Sequence, residues 1–173
     1  MLQPMTEAET SSILVPVDLS ADSNEALLLA AQLAVYSSQQ LVILHVTHDD
    51  IRQPNIYPRK TETEQMLPIE EIAETMLQNY MAEMREQHPD SEVLANAETI
   101  VVSGLPATRI PEIAHQVGAC LIVMGGNGRT SLSKLMAGSV SEKVIRQSNV
   151  PVTIVHSNGA AWEPGRVELR QAG

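Results

Sequence analysis

Ala119-Cys120-Leu121-Ile122-Val123-Met124-Gly125-Gly126-Asn127-Gly128 carries an apolar run straight into a glycine-rich loop. After nine intervening residues the chain reads Gly138-Ser139-Val140-Ser141. The apolar run reads as a buried strand, and Ser139 stands where it caps a following helix, with Glu142 three residues on. Glycine lets main-chain N–H groups approach an anion closely, and a helix N-terminus adds free donors and a favourable dipole. The layout therefore reads as a phosphate cradle. It is neither of the two common ones, because no GxxxxGK[ST] occurs and no GxGxxG follows a strand. The plain alternative is a set of turn glycines beside an ordinary helix cap. The joint spacing of the glycines favours binding over that reading.

Outward from this stretch the elements alternate. Ile13–Asp18 is a short apolar strand, and Asp22 with Glu25 offers a variant capping box for a helix to about Tyr36. Gln40–His48 is apolar on both faces, as a central parallel strand is. Residues 49–67 are polar and without period, and read as a mobile connection. Pro68 opens a strongly periodic helix in which Ile69, Ile72, Ala73, Met76, Leu77, Tyr80 and Met84 share a face, and Pro89 stops it. Glu98–Ser103 is a strand that turns at Gly104. Pro106 opens a helix to about Val117, closed by Gly118. Pro111 inside it implies a loose first turn or a start nearer Arg109. Strand Ala119–Met124, helix Ser139–Gln147 and strand Val150–His156 complete the series. Residues 1–12 read as a flexible N-terminal segment, 13–156 as one nucleotide-binding domain and 157–173 as a polar tail. The βαβαβαβαβ pattern with right-handed crossovers implies one open parallel sheet with helices on both faces.

Composition narrows the function classes. The chain has 173 residues, a net charge of −10 and 43% hydrophobic residues, but only 2% aromatics and no Phe. Aliphatic side chains and eight Met residues must fill the core. An acidic surface repels nucleic acid and anionic membranes, so neither is an expected partner. No apolar run of about 18 residues exists to span a membrane. The first twelve residues carry no signal-peptide pattern, and a cytoplasmic protein is expected. The single Cys120 reads as a small buried hydrophobe in its strand. The five histidines lack metal-ligand spacing, and structural or surface roles are expected of them.

The spacing Gly125-x2-Gly128-x9-Gly138-Ser139 closely resembles the signature of the ATP-binding branch of the universal stress protein family. Ile13–Ser20 resembles that family's first strand and its adenine-side Asp, Leu41–Val46 its second strand, and Val150–Val155 its last. Position 127 departs modestly, carrying Asn where the family often has His or Arg. The resemblance implies a strand order of 3-2-1-4-5, which makes strands 1 and 4 neighbours where the winding reverses, the place where open α/β sheets bind ligands.

The resemblance implies ATP in that crevice, with Mg²⁺ held mainly through the phosphates. It assigns nucleotide contact to Pro16, Val17, Asp18, Val46, Met124, Gly125, Gly128, Arg129, Gly138, Ser139, Val140 and Ser141. Asp18 would accept from the adenine amino group or the ribose hydroxyls, and Pro16 and Val46 would wall the base. Ser139 and Ser141 offer hydroxyls, and Val140 and Ser141 offer first-turn N–H groups. Arg129 and Lys134 would offset phosphate charge, or are solvated loop cations.

The expected function is a nucleotide-dependent regulatory module. It would act as a homodimer through strand 150–155 and on an unidentified regulatory protein partner. A slow ATPase or phosphoryl-transfer enzyme ranks lower because no catalytic base or arginine finger is evident. An interaction module with a vestigial pocket is the third reading. The rival to the dimer is a tail, anchored by Trp162, that folds back over the same strand edge.

Overall fold

A computed structural model describes residues 11–47, 68–126 and 140–156. Residues 1–10, 48–67, 127–139 and 157–173, and with them Gly128, Arg129, Lys134, Gly138, Ser139 and Trp162, lie outside the described residues.

The chain order is β1 (Ser12–Pro16), α1 (Ala21–Ser37), β2 (Gln40–Thr47), α2 (Ile69–Gln87), α3 (Glu92–Ala95), β3 (Glu98–Ser103), α4 (Pro106–Gln116), β4 (Ala119–Gly125), α5 (Val140–Gln147) and β5 (Val152–Val155). The five strands form one sheet in the order β3-β2-β1-β4-β5, with every pair parallel. The doubly wound α/β architecture expected from the alternation is therefore the one observed.

Strand parity sorts the side chains into two cores. Ile13 and Val15 of β1, Leu41 and Ile43 of β2 and Val123 of β4 pack with Ala26, Leu27, Ala30, Leu77, Met81 and Met84 of α1 and α2. The alternate residues Leu14, Val42, Leu44, Ile122 and Met124 pack on the opposite face with Ile110, Ile113 and Ala114 of α4 and Val144 of α5. Both layers are aliphatic, as the absence of Phe requires, and Met81 and Met84 fill gaps that Leu or Ile would fill less well.

Several local expectations are corrected. β1 ends at Pro16, not Asp18, because the chain swings into a tight turn in which Leu19 has φ 61°. Ser20, not Asp22, is the N-cap of α1. Its hydroxyl accepts from the Ser23 N–H, while Asp22 is a buried residue of the first turn. α4 does begin at Pro106. A Thr108 N–H bond to the Leu105 carbonyl tightens its first turn, and Pro111 is tolerated inside it. Gly118 has φ 61° and closes α4 as expected. α3 was not anticipated; Ser91 caps it by accepting from the Leu94 N–H. β5 is shorter than 150–156 and starts after Pro151, whose carbonyl accepts from Ile122. Cys120 is exposed rather than buried: Ser12 pairs with Ala119 and Ile13 with Leu121, so Cys120 is the extra residue of a bulge in β4. No described helix is long and apolar enough to cross a membrane.

Candidate functional site

The winding reverses between β1 and β4, so their carboxyl ends bound a crevice. Register levels the residues around it. Pro16 pairs with Leu44, which puts Val46 level with Asp18, and Leu14 pairs with Ile122, which puts Met124 level with Pro16. Pro16, Val17, Asp18, Val46, Met124 and Gly125 are thus gathered at adjacent strand ends. Val140 and Ser141 open α5, which returns the chain from β4 to the parallel β5 and so starts at the same end of the sheet. Gly128, Arg129, Gly138 and Ser139 are outside the described residues.

The β1 side of the crevice is a turn built by side chains. Asp18 Oδ1 accepts from the Ser20 N–H at 3.2 Å, the Ser20 hydroxyl at 2.5 Å and the Ser23 hydroxyl at 2.6 Å. The Asp18 N–H in turn donates to Ser23 Oγ at 3.0 Å. This closed cluster holds Leu19 in the left-handed region, which costs a non-glycine residue about 1–2 kcal/mol. The backbone just before the turn is tied to β2. The Val17 N–H donates to the Leu44 carbonyl at 2.8 Å, and the Val17 carbonyl lies 2.8 Å from Nδ1 of the buried His45.

The β4 side is built by the absence of side chains. A Cβ on Gly125 would stand 2.9 Å from Asp22 Cβ and 3.0 Å from its carbonyl carbon, so the strand end lies flush on the first turn of α1. A Cβ on Gly126 would overlap the His156 imidazole, and the Gly126 N–H donates to the Val155 carbonyl at 2.7 Å. The loop that follows therefore departs from a fixed point, clamped by α1 on one side and by the end of β5 on the other.

Tyr80 of α2 belongs to the electrostatics of this end. Its hydroxyl is buried and has no hydrogen-bond partner among the described residues. Burial pushes its pKa well above the ordinary phenol value, and the charges of Asp18 and then Glu83 push the same way. A cavity of about 600 Å³ lies away from the crevice, between α2 and β3, lined by Glu71, Glu74, Thr75, Gln78 and Thr99. Its two carboxylates disfavour an anionic ligand, so we place no phosphate there. Among the described residues no cluster of His, Cys, Asp or Glu is placed to hold a metal ion.

Sequence reasoning missed Leu19, Ser20, Ser23, His45, Gly126 and His156. The spacing Asp18-x-Ser20-x2-Ser23 was the available signal for a side-chain-capped turn, since Ser and Asp favour caps over helix interiors. Nothing local in the sequence pairs Gly126 with His156.

A doubly wound parallel sheet with a glycine-lined switch-point crevice defines an α/β ligand-binding class. Within that class the chain belongs to the universal stress protein family, whose model matches residues 9–156. It is 31% identical over 154 residues to the universal stress protein YxiE of Bacillus subtilis, covering 84% of this chain and 98% of that one. It is 29% identical over 156 residues to the universal stress protein MJ0577 of Methanocaldococcus jannaschii, covering 83% and 93%. Two solved structures share the fold. One is a universal stress protein in complex with cAMP, at a TM-score of 0.60 and 24% identity over 85% of this chain and 97% of that one. The other is the Archaeoglobus fulgidus protein in complex with dAMP, at 0.57 and 22% over 84% and 97%.

Proposed function

We propose that this chain is an adenine-nucleotide-responsive regulatory protein of the ATP-binding branch of its family. ATP would lie in the β1/β4 crevice, with Mg²⁺ held mainly through the phosphates and water. The observation that carries this reading is the pairing of two unlike strand ends. The Asp18 turn offers an anchored carboxylate, and the close-packed Gly125–Gly126 end leads into Gly128, Gly138 and Ser139, whose spacing gives the signature. The adenine nucleotides held by the two fold relatives support the base. Val140 and Ser141, in the first turn of α5, supply main-chain donors for the phosphates.

Calorimetry with ATP, ADP, AMP and cAMP tests this reading. We expect ATP binding in the micromolar range that is weakened at least about tenfold by Gly138→Val, because a branched side chain blocks close backbone approach. Equal affinity in wild type and variant, or no binding by the wild type, would remove the site. Steady phosphate release lost in the same variant would favour an ATPase instead.

The module would work as a homodimer through strand 150–155, with a regulatory protein reading its nucleotide state. β5 is an edge strand, and Val152–Val155 are all half-buried in the single chain. Because the Ile122 N–H bonds to Pro151 and the Gly126 N–H to Val155, the odd-numbered residues face β4, and the main-chain groups of Val152 and Ile154 point outward. Antiparallel pairing of two such edges satisfies those groups with two-fold symmetry. The side chains of Val152 and Ile154 pack on the α4/α5 core, so charging them would damage the fold rather than the edge. Ile154→Pro removes one outward N–H, and light scattering should then report a monomer. A dimer that survives this change refutes the interface.

A further inference from the structure

β1 and β2 form a regular parallel ladder as far as Pro16↔Leu44. The next rung begins normally, with the Val17 N–H donating to the Leu44 carbonyl at 2.8 Å. In a parallel ladder the residue that donates to Leu44 then accepts from the N–H of Val46. That rung is not made. The Val17 carbonyl instead meets the imidazole of His45, 2.8 Å from Nδ1. A carbonyl only accepts, so Nδ1 carries the proton and donates. The ring is 5% exposed, inside the sheet layer directly beneath the crevice. A side chain thus occupies the acceptor that main chain would otherwise use.

Val46 is left in a particular state. Leu44 faces β1, and Thr47 faces β3, where its carbonyl accepts from Gly104. By strand alternation the N–H and C=O of Val46 both point to the β1 side, level with Asp18, after β1 has turned away. They form a donor and an acceptor side by side at the crevice wall. Such a pair matches a heterocycle edge in which a ring nitrogen acceptor lies beside an exocyclic amine. A 6-aminopurine has that edge. A 6-oxopurine presents a ring N–H beside a carbonyl, the reverse order, and would set donor against donor and acceptor against acceptor.

We propose that His45 is a specificity-determining positioning residue: by donating Nδ1–H to the Val17 carbonyl it keeps the last β1–β2 rung open, so that the Val46 main chain selects a 6-aminopurine over a 6-oxopurine. This inference rests on the nucleotide reading of the crevice. Without the imidazole, the Val17 carbonyl is a buried acceptor with no partner, and the nearest remedy is the Val46 N–H. The ladder then closes by one rung and the reading edge is consumed.

The test compares ATP with ITP, which differ at the purine 6-position and in the proton on N1, in wild type, His45→Asn and His45→Leu. The side-chain amide of Asn can place an N–H near the Nδ1 position, whereas Leu has no donor. We expect the wild-type ATP:ITP affinity ratio to be at least about tenfold, to persist in His45→Asn and to fall towards one in His45→Leu. The ratio is the readout because a merely structural loss lowers both affinities together. A second measurement does not depend on the variants folding: long-range ¹⁵N–¹H correlation of the wild type reports the His45 tautomer. A ratio unchanged in His45→Leu, or an Nε2–H tautomer, overturns the role of His45 and leaves nucleotide binding standing. A wild type that binds neither nucleotide overturns both.

Discussion

β1 and β4 run side by side and end in the same crevice, yet the two ends are made in opposite ways. At β1 the chain is held by added polar groups. Asp18, Ser20 and Ser23 form a closed cluster of hydrogen bonds that keeps Leu19 in a left-handed conformation. At β4 the chain is held by omission. Gly125 and Gly126 have no side chains, so α1 and the end of β5 close directly on the backbone. The difference teaches that a rigid loop root can be specified either by satisfying donors or by removing atoms. The two solutions fail differently. A hydrogen-bonded turn loses its parts one at a time, whereas a close-packed joint fails when any atom is added.

The largest effect should come from breaking the packed side. In Gly125→Val the new side chain meets the Asp22 backbone, which cannot swing aside as a side-chain tip would. We expect about 3 kcal/mol of destabilisation, read as a shift in the urea midpoint at unchanged m-value. A variant within about 0.5 kcal/mol of wild type would mean that α1 does not close on β4 as described. Next comes the bonded side. Asp18→Ala strips the acceptor from the Ser20 and Ser23 hydroxyls and should cost about 2 kcal/mol. Asp18→Asn, which keeps an oxygen at the same place, should recover part of that, and equal losses in the two variants would contradict the cluster.

Gly126→Ala sharpens the comparison, because its obstacle is the ring of the exposed His156 rather than backbone. The imidazole can rotate away, so stability should change by no more than about 1 kcal/mol while the His156 NMR resonances move. Stationary resonances would place the ring elsewhere.

The smallest effect tests a bonded contact at the far edge. Glu70 accepts from the Ser103 hydroxyl at 2.7 Å, and that bond holds its carboxyl below the ordinary value. A lowered folded-state pKa gives stability that is present above the unfolded carboxyl pKa and lost as pH falls through the folded one. Glu70→Gln should therefore lower the melting temperature slightly at pH 7 and leave it unchanged in acid. A difference that persists at pH 2 would assign the effect to packing.

The legibility of these features followed their range. The alternation of strands and helices, and with it the parallel sheet, is legible because apolar runs and crossover handedness are local or topological signals, whereas the strand order and the switch point rest on the resemblance to the family, and the packing of Gly125 on Asp22 is written in neither. β3 was placed at Glu98–Ser103 from its own residues. The cap of α1 was misplaced by two residues because Asp22 and Ser20 are both good caps, and only the position of Asp18 decides between them. The exposure of Cys120 is not legible because an apolar neighbourhood in sequence does not reveal a bulge, which only the pairing with β1 creates. The bond between His45 and Val17 joins residues 28 apart, and no periodicity encodes it.

The position of β1 has a consequence for the order in which the molecule is assembled. Its neighbour β2 follows within the same stretch of chain, but its other neighbour β4 lies more than a hundred residues further on, as the pairing Ser12↔Ala119 shows. During synthesis the β1–β2–β3 half can close on α1 and α2 long before β4 leaves the ribosome. Until then β1 has one unsatisfied edge, and the apolar face of Leu14, Val42 and Leu44 lacks Ile122 of β4 and Val144 of α5. Contacts of such long separation form late and slowly. On that order the two walls of the crevice meet late in folding, and a ligand held between them would act as a clasp on the step that completes the protein.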